Sequence, residues 1–413
     1  MDDQRCDAHG AAEAVARHSY GKLVAFLAAR TRDVAAAEDA LSEAFAAALA
    51  DWSRNGCPEN PEAWLLTVAR RKFLDSVRGT RREVPSEDLE QMTDAFEVGA
   101  DAEVLPDRRL GLMFACAHPA IDKGIRAPLM LQTVLGLDAA KIASAFLISP
   151  ATMGQRLVRA KSKIREARIP LLIPEPKELR PRLDAVLDAI YAAFAEGWMD
   201  AAGTDVARRD LAEEAIYLCR LVVELLPSEP EGLGLLALML HAEARRPARR
   251  SSNGEYVPLA QQDPALWNTR MIDEAEATLR RASALGAIGR YQLEGAIQSA
   301  HVARRRTGRA DWAAVVQLYD ALLDMSNSPV AAVNRALAVA ELHGAHAALE
   351  AMNRAAEDSR LAEYQPYWAA RAELLARTGA REDARHAYDV AIGMERDDSV
   401  RQFLEQRRAL LDV

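Results

Sequence analysis

A chain of 413 residues, half of them hydrophobic and with a net charge of −9, is long enough for two or three domains. No apolar run approaches the length of a membrane span, and the first ten residues are polar with no apolar signal-peptide core, so a cytoplasmic protein is expected. Alanine is abundant and β-branched runs are scarce, which points to an all-α fold.

The four cysteines, Cys6, Cys57, Cys116 and Cys219, are scattered without metal-ligand spacing, and no second pair answers Cys116 and His118. Free or buried thiols, no metal and no cofactor are expected. The charge is uneven along the chain. Residues 1–82 balance 12 basic against 12 acidic side chains, residues 83–107 carry nine acids and no base, and residues 108–168 carry 11 bases against three acids. The remainder is acidic, so different parts suit different partners.

In chain order, Val15, Leu23, Val24, Phe26 and Leu27 predict an amphipathic helix over 11–30. A second is predicted over 34–52, with Ala37, Ala40, Leu41, Ala44, Phe45 and Ala48 inward and Glu38, Asp39, Ser42 and Glu43 outward. Such carboxylates either solvate a helix or form an acidic docking face. A breaker-rich loop over 53–60 follows, holding Arg54 and Asn55; Asn60 then caps a third helix that Pro61 opens. Trp64, Leu65, Val68, Phe73 and Val77 point mostly inward there, and Trp64 reads as core rather than as a stacking platform. Arg70, Arg71, Lys72, Arg78, Arg81 and Arg82 oppose the single acid Asp75, a surface suited to a nucleic-acid backbone.

Residues 83–106 form an acidic linker with Pro85 and Pro106 near its ends. From 107 a second helical domain begins: a helix over 109–117, a break at Pro119, a helix over 127–135 and a stop at Gly136. Residues 137–163 then read as two short helices around a tight break. Ile142, Ala143 and Phe146 share one face of the first; Ser149 caps and Pro150 opens the second. Met153, Leu157 and Ala160 form its inward stripe. This leaves Thr152, Gln155, Arg156 and Arg159 for base or phosphate contact, with Lys161, Lys163 and Arg165 for phosphates, the pattern of a helix-turn-helix with its recognition helix second.

Three segments carry a resemblance: Ala-Glu-Asp-Ala-Leu-Ser-Glu-Ala-Phe (37–45), Pro-Glu-Ala-Trp-Leu-Leu-Thr-Val-Ala-Arg-Arg-Lys-Phe-Leu-Asp (61–75) and Ala-Thr-Met-Gly-Gln-Arg-Leu-Val-Arg-Ala-Lys (151–161). In this order and separation they resemble bacterial RNA polymerase sigma factors of the extracytoplasmic-function type. The resemblance implies that Glu38, Asp39, Ser42, Glu43 and Phe45 meet the β′ clamp helices of RNA polymerase core. It further implies that Arg54, Asn55, Asn60, Arg70, Arg71, Lys72 and Arg78 serve the −10 element, and that residues 107–168 read the −35 element near the β flap. Opening promoter DNA requires a base to leave the stack, for which a polar loop is a suitable lining.

The prolines at 170, 174, 176 and 181 mark a boundary over 169–183. Residues 184–413 are helical with repeat character: Gly308, Gly344 and Gly379 stand at near-tetratricopeptide spacing, predicting stacked helix pairs. Between 245 and 267 the helical pattern lapses, and Asn253-Gly254 suits a hairpin turn or ordered insertion. This extension, with Tyr191 to Trp198, is similar to that of one group of sigma factors with a tetratricopeptide-like C-terminal domain. Such a solenoid is expected to dock on polymerase, receive a protein or peptide regulator, or fold back on residues 1–168.

No Gly-rich phosphate loop, nucleophile motif or metal cluster is present, and the eight histidines (9, 18, 118, 241, 301, 343, 346, 386) are dispersed, so an enzyme is not expected. The competing reading is a helix-turn-helix regulator of another kind with a ligand-sensing helical domain; residues 34–78 are what such a protein would not need.

Overall fold

The computed structural model describes residues 8–79, 107–146, 148–198 and 206–412. The described residues form helices and short 3-10 turns without a strand, the all-α fold that the composition implies. They divide into two compact units, 1–197 with 210–218, and 198–209 with 219–413.

In the first unit, α1 (Ala8–Thr31), α2 (Val34–Asn55) and α3 (Pro61–Gly79) pack together through Leu23, Val24 and Leu27, Ala37, Leu41, Ala44 and Trp52, and Leu65, Ala69 and Phe73. Asp33 caps α2 by accepting from the Ala36 amide, and Asn60 caps α3 by accepting from Ala63 N at 3.0 Å. Helix α2 runs one turn past its expected end. Arg54 and Asn55 therefore stand on its last turn, where Asn55 Nδ2 donates to Asp51 Oδ1 at 2.7 Å and Gly56 ends the helix at φ 84°. Trp64 lies edge-on to the buried Trp52, with ring centroids 5.4 Å apart, so it packs as core. Cys57 is in a disulfide, against the expectation of free thiols; Cys116 and Cys219 are free and buried.

The acidic linker lies outside the described residues. Helices α4 (Arg109–Cys116), α5 (Lys123–Thr133), α6 (Ala139–Ala145) and α7 (Pro150–Glu166) follow. The first turn of α5 begins four residues before Ala127 because Asp122 accepts from Gly124 N at 3.0 Å, and Pro128, buried inside the helix, gives up one helix hydrogen bond that the packing of Ile125, Leu129 and Met130 offsets. Helix α1 meets α5 without a side chain between them: a Cβ on Gly21 would stand 1.7 Å from the Val134 carbonyl oxygen. The proline-rich segment is not a spacer throughout. Ile169 and Leu171 are buried, Pro176 opens α8 (Pro176–Trp198), and the buried Arg182 donates to the Phe114 carbonyl at 3.3 Å. Arg109 at the start of α4 is buried between the Asp107 and Glu214 carboxylates, the latter from α9 (Val206–Leu225).

The second unit contains α10 (Pro230–Glu243), α11 (Thr269–Ala284), α12 (Arg290–Thr307), α13 (Trp312–Ser326), α14 (Pro329–His343), α15 (Ala345–Ala355), α16 (Gln365–Arg377), α17 (Arg381–Met394) and α18 (Asp398–Ala409). Consecutive helices pair around small shared cores, such as Val333, Ala336, Met352, Tyr367 and Leu374, and Ala384, Ala387, Tyr388 and Leu404. Gly308, Gly344 and Gly379 sit between the members of three pairs with φ of 68°, 88° and 81°, a backbone that L side chains rarely adopt. Glu231 on α10 caps α12 from outside it, accepting from the Tyr291 and Gln292 amides at 3.0 and 3.1 Å. The insertion between α10 and α11 consists of 3-10 turns and one antiparallel bridge, Arg250 to Tyr256, around Gly254.

Candidate nucleic-acid interface

Ser149 starts α7 by accepting from Thr152 N at 3.2 Å, and Pro150 takes the first helical position, where no amide is lost. Met153, Leu157, Ala160 and Ile164 are buried and fix the rotation of α7 against α5 and α6. That rotation leaves Thr152, Gln155, Arg156, Arg159, Lys163 and Arg165 exposed on the opposite side. A guanidinium presents a planar fork to guanine or phosphate, and an amide matches adenine. Beside them lies a cleft of about 410 Å³, lined by Arg156, Arg159 and Lys163 with Ile121, Ile125 and Asp122.

Lys161 departs from the expected phosphate contact. It turns to α2, where its Nζ lies 2.5 Å from Glu38 Oε2, and both side chains are largely buried. Arg165 approaches Asp33 at 3.4 Å, and Tyr20 packs against Gly136. Burial raises Glu38 above the usual carboxylate range, although Lys161 pulls it down. Glu38 is thus not on the open face expected for it. Its neighbours Asp39, Ser42 and Glu43 are exposed, and Phe45 is half-buried.

The basic face of α3 holds Arg71 and Lys72 exposed and Arg70 half-buried; Lys72 reaches Glu43 at 3.3 Å. Arg54 and Asn55 are exposed, whereas Asn60 spends its side-chain oxygen on the α3 cap. The Arg78 side chain, Arg81 and Arg82 lie outside the described residues, as do the acids from Glu83 to Glu103. Val158 is the residue that sequence reasoning passed over: it is 65 % exposed, on the flank of α7 about 100° around the helix from Arg159. Its signal was an apolar residue off the Met153, Leu157, Ala160 stripe. Among the described residues no group of histidine, cysteine or carboxylate side chains suits a metal, and no helix is long and apolar enough to cross a membrane.

Residues 15–83 match the Sigma-70 region 2 family, and residues 182–283 match a family of unknown function, DUF6596. Over 382 residues the chain is 37% identical to the uncharacterized protein R00370 of Rhizobium meliloti (strain 1021), covering 91% of this chain and 90% of that protein. No solved structure matches the chain.

Proposed function

We propose, from the premise that its region 2 segment makes the chain a sigma-70 family factor, that it is a promoter-specificity subunit of the extracytoplasmic-function type. It acts in the cytoplasm, without catalysis of its own, by binding RNA polymerase core and promoter DNA. The observation that carries this reading is the division of α7: a buried apolar stripe locks the helix, and Thr152, Gln155, Arg156 and Arg159 project together from its free side.

In this reading α7 enters the major groove of the −35 element, with Gln155, Arg156 and Arg159 toward base edges and Lys163 toward phosphates. Arg54, Asn55, Arg70, Arg71, Lys72 and Arg78 serve the −10 element. Asp39, Ser42, Glu43 and Phe45 meet the clamp helices of the β′ subunit, and the α4–α7 domain stands near the β flap. Lys161 and Glu38 occupy each other in the structure. Use of either by DNA or polymerase therefore requires α2 and α7 to separate. The helix pairs beyond residue 230 form a tetratricopeptide-like solenoid that receives a protein or peptide partner and sets the activity of the N-terminal part.

The test is in-vitro transcription with sigma-free bacterial core polymerase and the full-length protein on a pool of promoter-containing DNA. Initiation that depends on the added protein is the expected result. A protein that shifts DNA yet neither binds core nor starts transcription would be a regulator of another kind.

A further inference from the structure

Four arginines follow α10 in close succession, and they divide by partner. Arg246 pairs with Glu243 at 2.6 Å, and Arg250 pairs with Asp397 at 2.6 Å. Among the described residues Arg245 and Arg249 form no ion pair; their hydrogen bonds go to neutral oxygens, and the Asp397 carboxylate held by Arg250 acts on Arg249 only from a distance. Arg245 Nε donates to the His241 carbonyl at 3.2 Å, and its terminal nitrogen donates to the Gln298 side-chain oxygen. Arg249 donates to the Trp198 carbonyl at 2.7 Å, with its guanidinium 4.2 Å from the centre of that indole. Arg304 on α12 completes the group. It reaches the carbonyls of Ala260, Leu259 and Gln262, and lies 5.1 Å from the centre of the Trp267 ring.

Carbonyls satisfy the hydrogens of a guanidinium but leave its charge uncancelled, and buried charges otherwise occur paired. Arg245 is only 7 % exposed. Burial, together with the charges of Arg249 and Arg304, pulls it down to about 10, so it remains charged at neutral pH. The neighbouring acids are committed elsewhere: Glu243 and Asp397 to the other two arginines, and Glu276 to Ser299 at 2.5 Å. Arg304 Nε and Trp267 Nε1 are buried donors without a partner in the protein. The rim is open. Gln298, His301 and Arg304 follow one another at three-residue steps along α12 and are all partly exposed.

We propose that Arg245, with Arg249, Arg304 and His301 around it, forms a site in the C-terminal unit for a small oxyanion, a phosphate or carboxylate group. Several guanidiniums around one oxyanion provide charge-assisted hydrogen bonds that the present carbonyl contacts cannot match. The His301 imidazole, held neutral with its pKa near about 4 by burial and by Arg245 and Arg304, offers a further donor without adding charge. The site is independent of the promoter reading.

Calorimetric titration of the full-length protein with inorganic phosphate, and separately with acetate, at matched ionic strength tests this and distinguishes the two sources. Saturable binding of at least one of them is expected. The unfolding midpoint should rise by about 3–5 °C at ten times the Kd. Arg245→Met removes a buried unpaired charge at similar volume, so the variant should fold and lose binding at least tenfold. Chloride-equivalent behaviour of both anions with the wild-type chain, or undiminished binding by a folded Arg245→Met protein, would overturn the proposal.

Discussion

Lys161 Nζ and Glu38 Oε2 stand 2.5 Å apart, joining α7 to α2 across 123 residues of chain. The pair is a balance of opposed terms. Desolvation raises Glu38, and the Lys161 charge opposes it without winning. A carboxylate whose folded pKa is raised contributes stability at low pH that is lost as pH rises from its unfolded toward its folded value. Lys161→Met should therefore cost about 3 kcal/mol at neutral pH, because it leaves an uncompensated buried carboxylate. It should also steepen the loss of stability with rising pH. The double variant Glu38→Gln with Lys161→Met should recover most of that cost. Urea unfolding of the two single variants and the double variant measures the coupling, and strict additivity would show that the pair does not interact.

On the exposed side of α7, function and stability should separate. Arg156→Ala and Arg159→Ala remove groups that face solvent. Each should weaken DNA binding by about 1–3 kcal/mol while leaving the unfolding midpoint within experimental error. Ser149→Ala should do the reverse, lowering stability by about 1 kcal/mol through the lost cap, with a smaller effect on DNA. Fluorescence anisotropy with a duplex, paired with thermal melts, reads both.

Much of this was legible in the sequence. The inward stripe of α7, the Ser149 and Asn60 caps and the turn glycines Gly308, Gly344 and Gly379 follow from period and local backbone chemistry, which act within a few residues. What the sequence hid is long-range. Lys161 and Glu38 each look exposed on their own helix wheels, and only the packing of α7 on α2 makes them partners. Pro176 and Pro181 read as breakers, yet Pro176 opens α8 where no amide is lost, and Pro181 is carried inside the helix by the burial of Leu179, Leu183 and Val186, so α8 begins inside the expected boundary. The buried Arg245 sits in the stretch where the helical pattern lapses, and periodicity says nothing about it there.

Close approach of α1 to α5 depends on Gly21 having no side chain. A Cβ there would fall 1.7 Å from the Val134 carbonyl oxygen, which is backbone and cannot rotate away. Gly21→Ala should force the helices apart and cost about 2–3 kcal/mol. Gly154→Ala, where a Cβ would meet nothing within 4 Å, is the control and should be neutral or slightly stabilising. Chemical denaturation of the two variants decides the point, and equal stabilities would sink it.

The Cys116 thiol is fully buried and is pushed up to about 12 by that burial, with Thr133 as its hydrogen-bonding neighbour at 3.7 Å. Only a thiolate reacts with disulfide reagents. Cys116 should therefore remain unlabelled at pH 8 in the folded protein and react on unfolding, with protection of about 10³-fold or more. Peptide mapping after timed exposure follows it separately from the other cysteines. Rapid native labelling would mean that α4 and α5 open readily.

At the far end of the second unit, Glu373 on α16 accepts from Arg407 of α18 at 2.6 and 2.7 Å and from the Tyr388 hydroxyl of α17 at 3.0 Å. Burial would raise its carboxyl, but Arg407 and Arg377 outweigh that and hold it below the usual range. A depressed carboxylate contributes stability that is fully present above its unfolded pKa and is lost as pH falls through the folded value. Stability of the α16–α18 region should thus decline below the ordinary glutamate range of about 4.3. Because both partners are partly exposed, the contribution is at the modest end, about 1 kcal/mol. Glu373→Gln should lower stability at pH 7 and flatten the acid limb, so the two proteins converge near pH 3. Hydrogen exchange of the α16 and α18 amides across that range localises the effect, and parallel acid limbs would place the titrating group elsewhere.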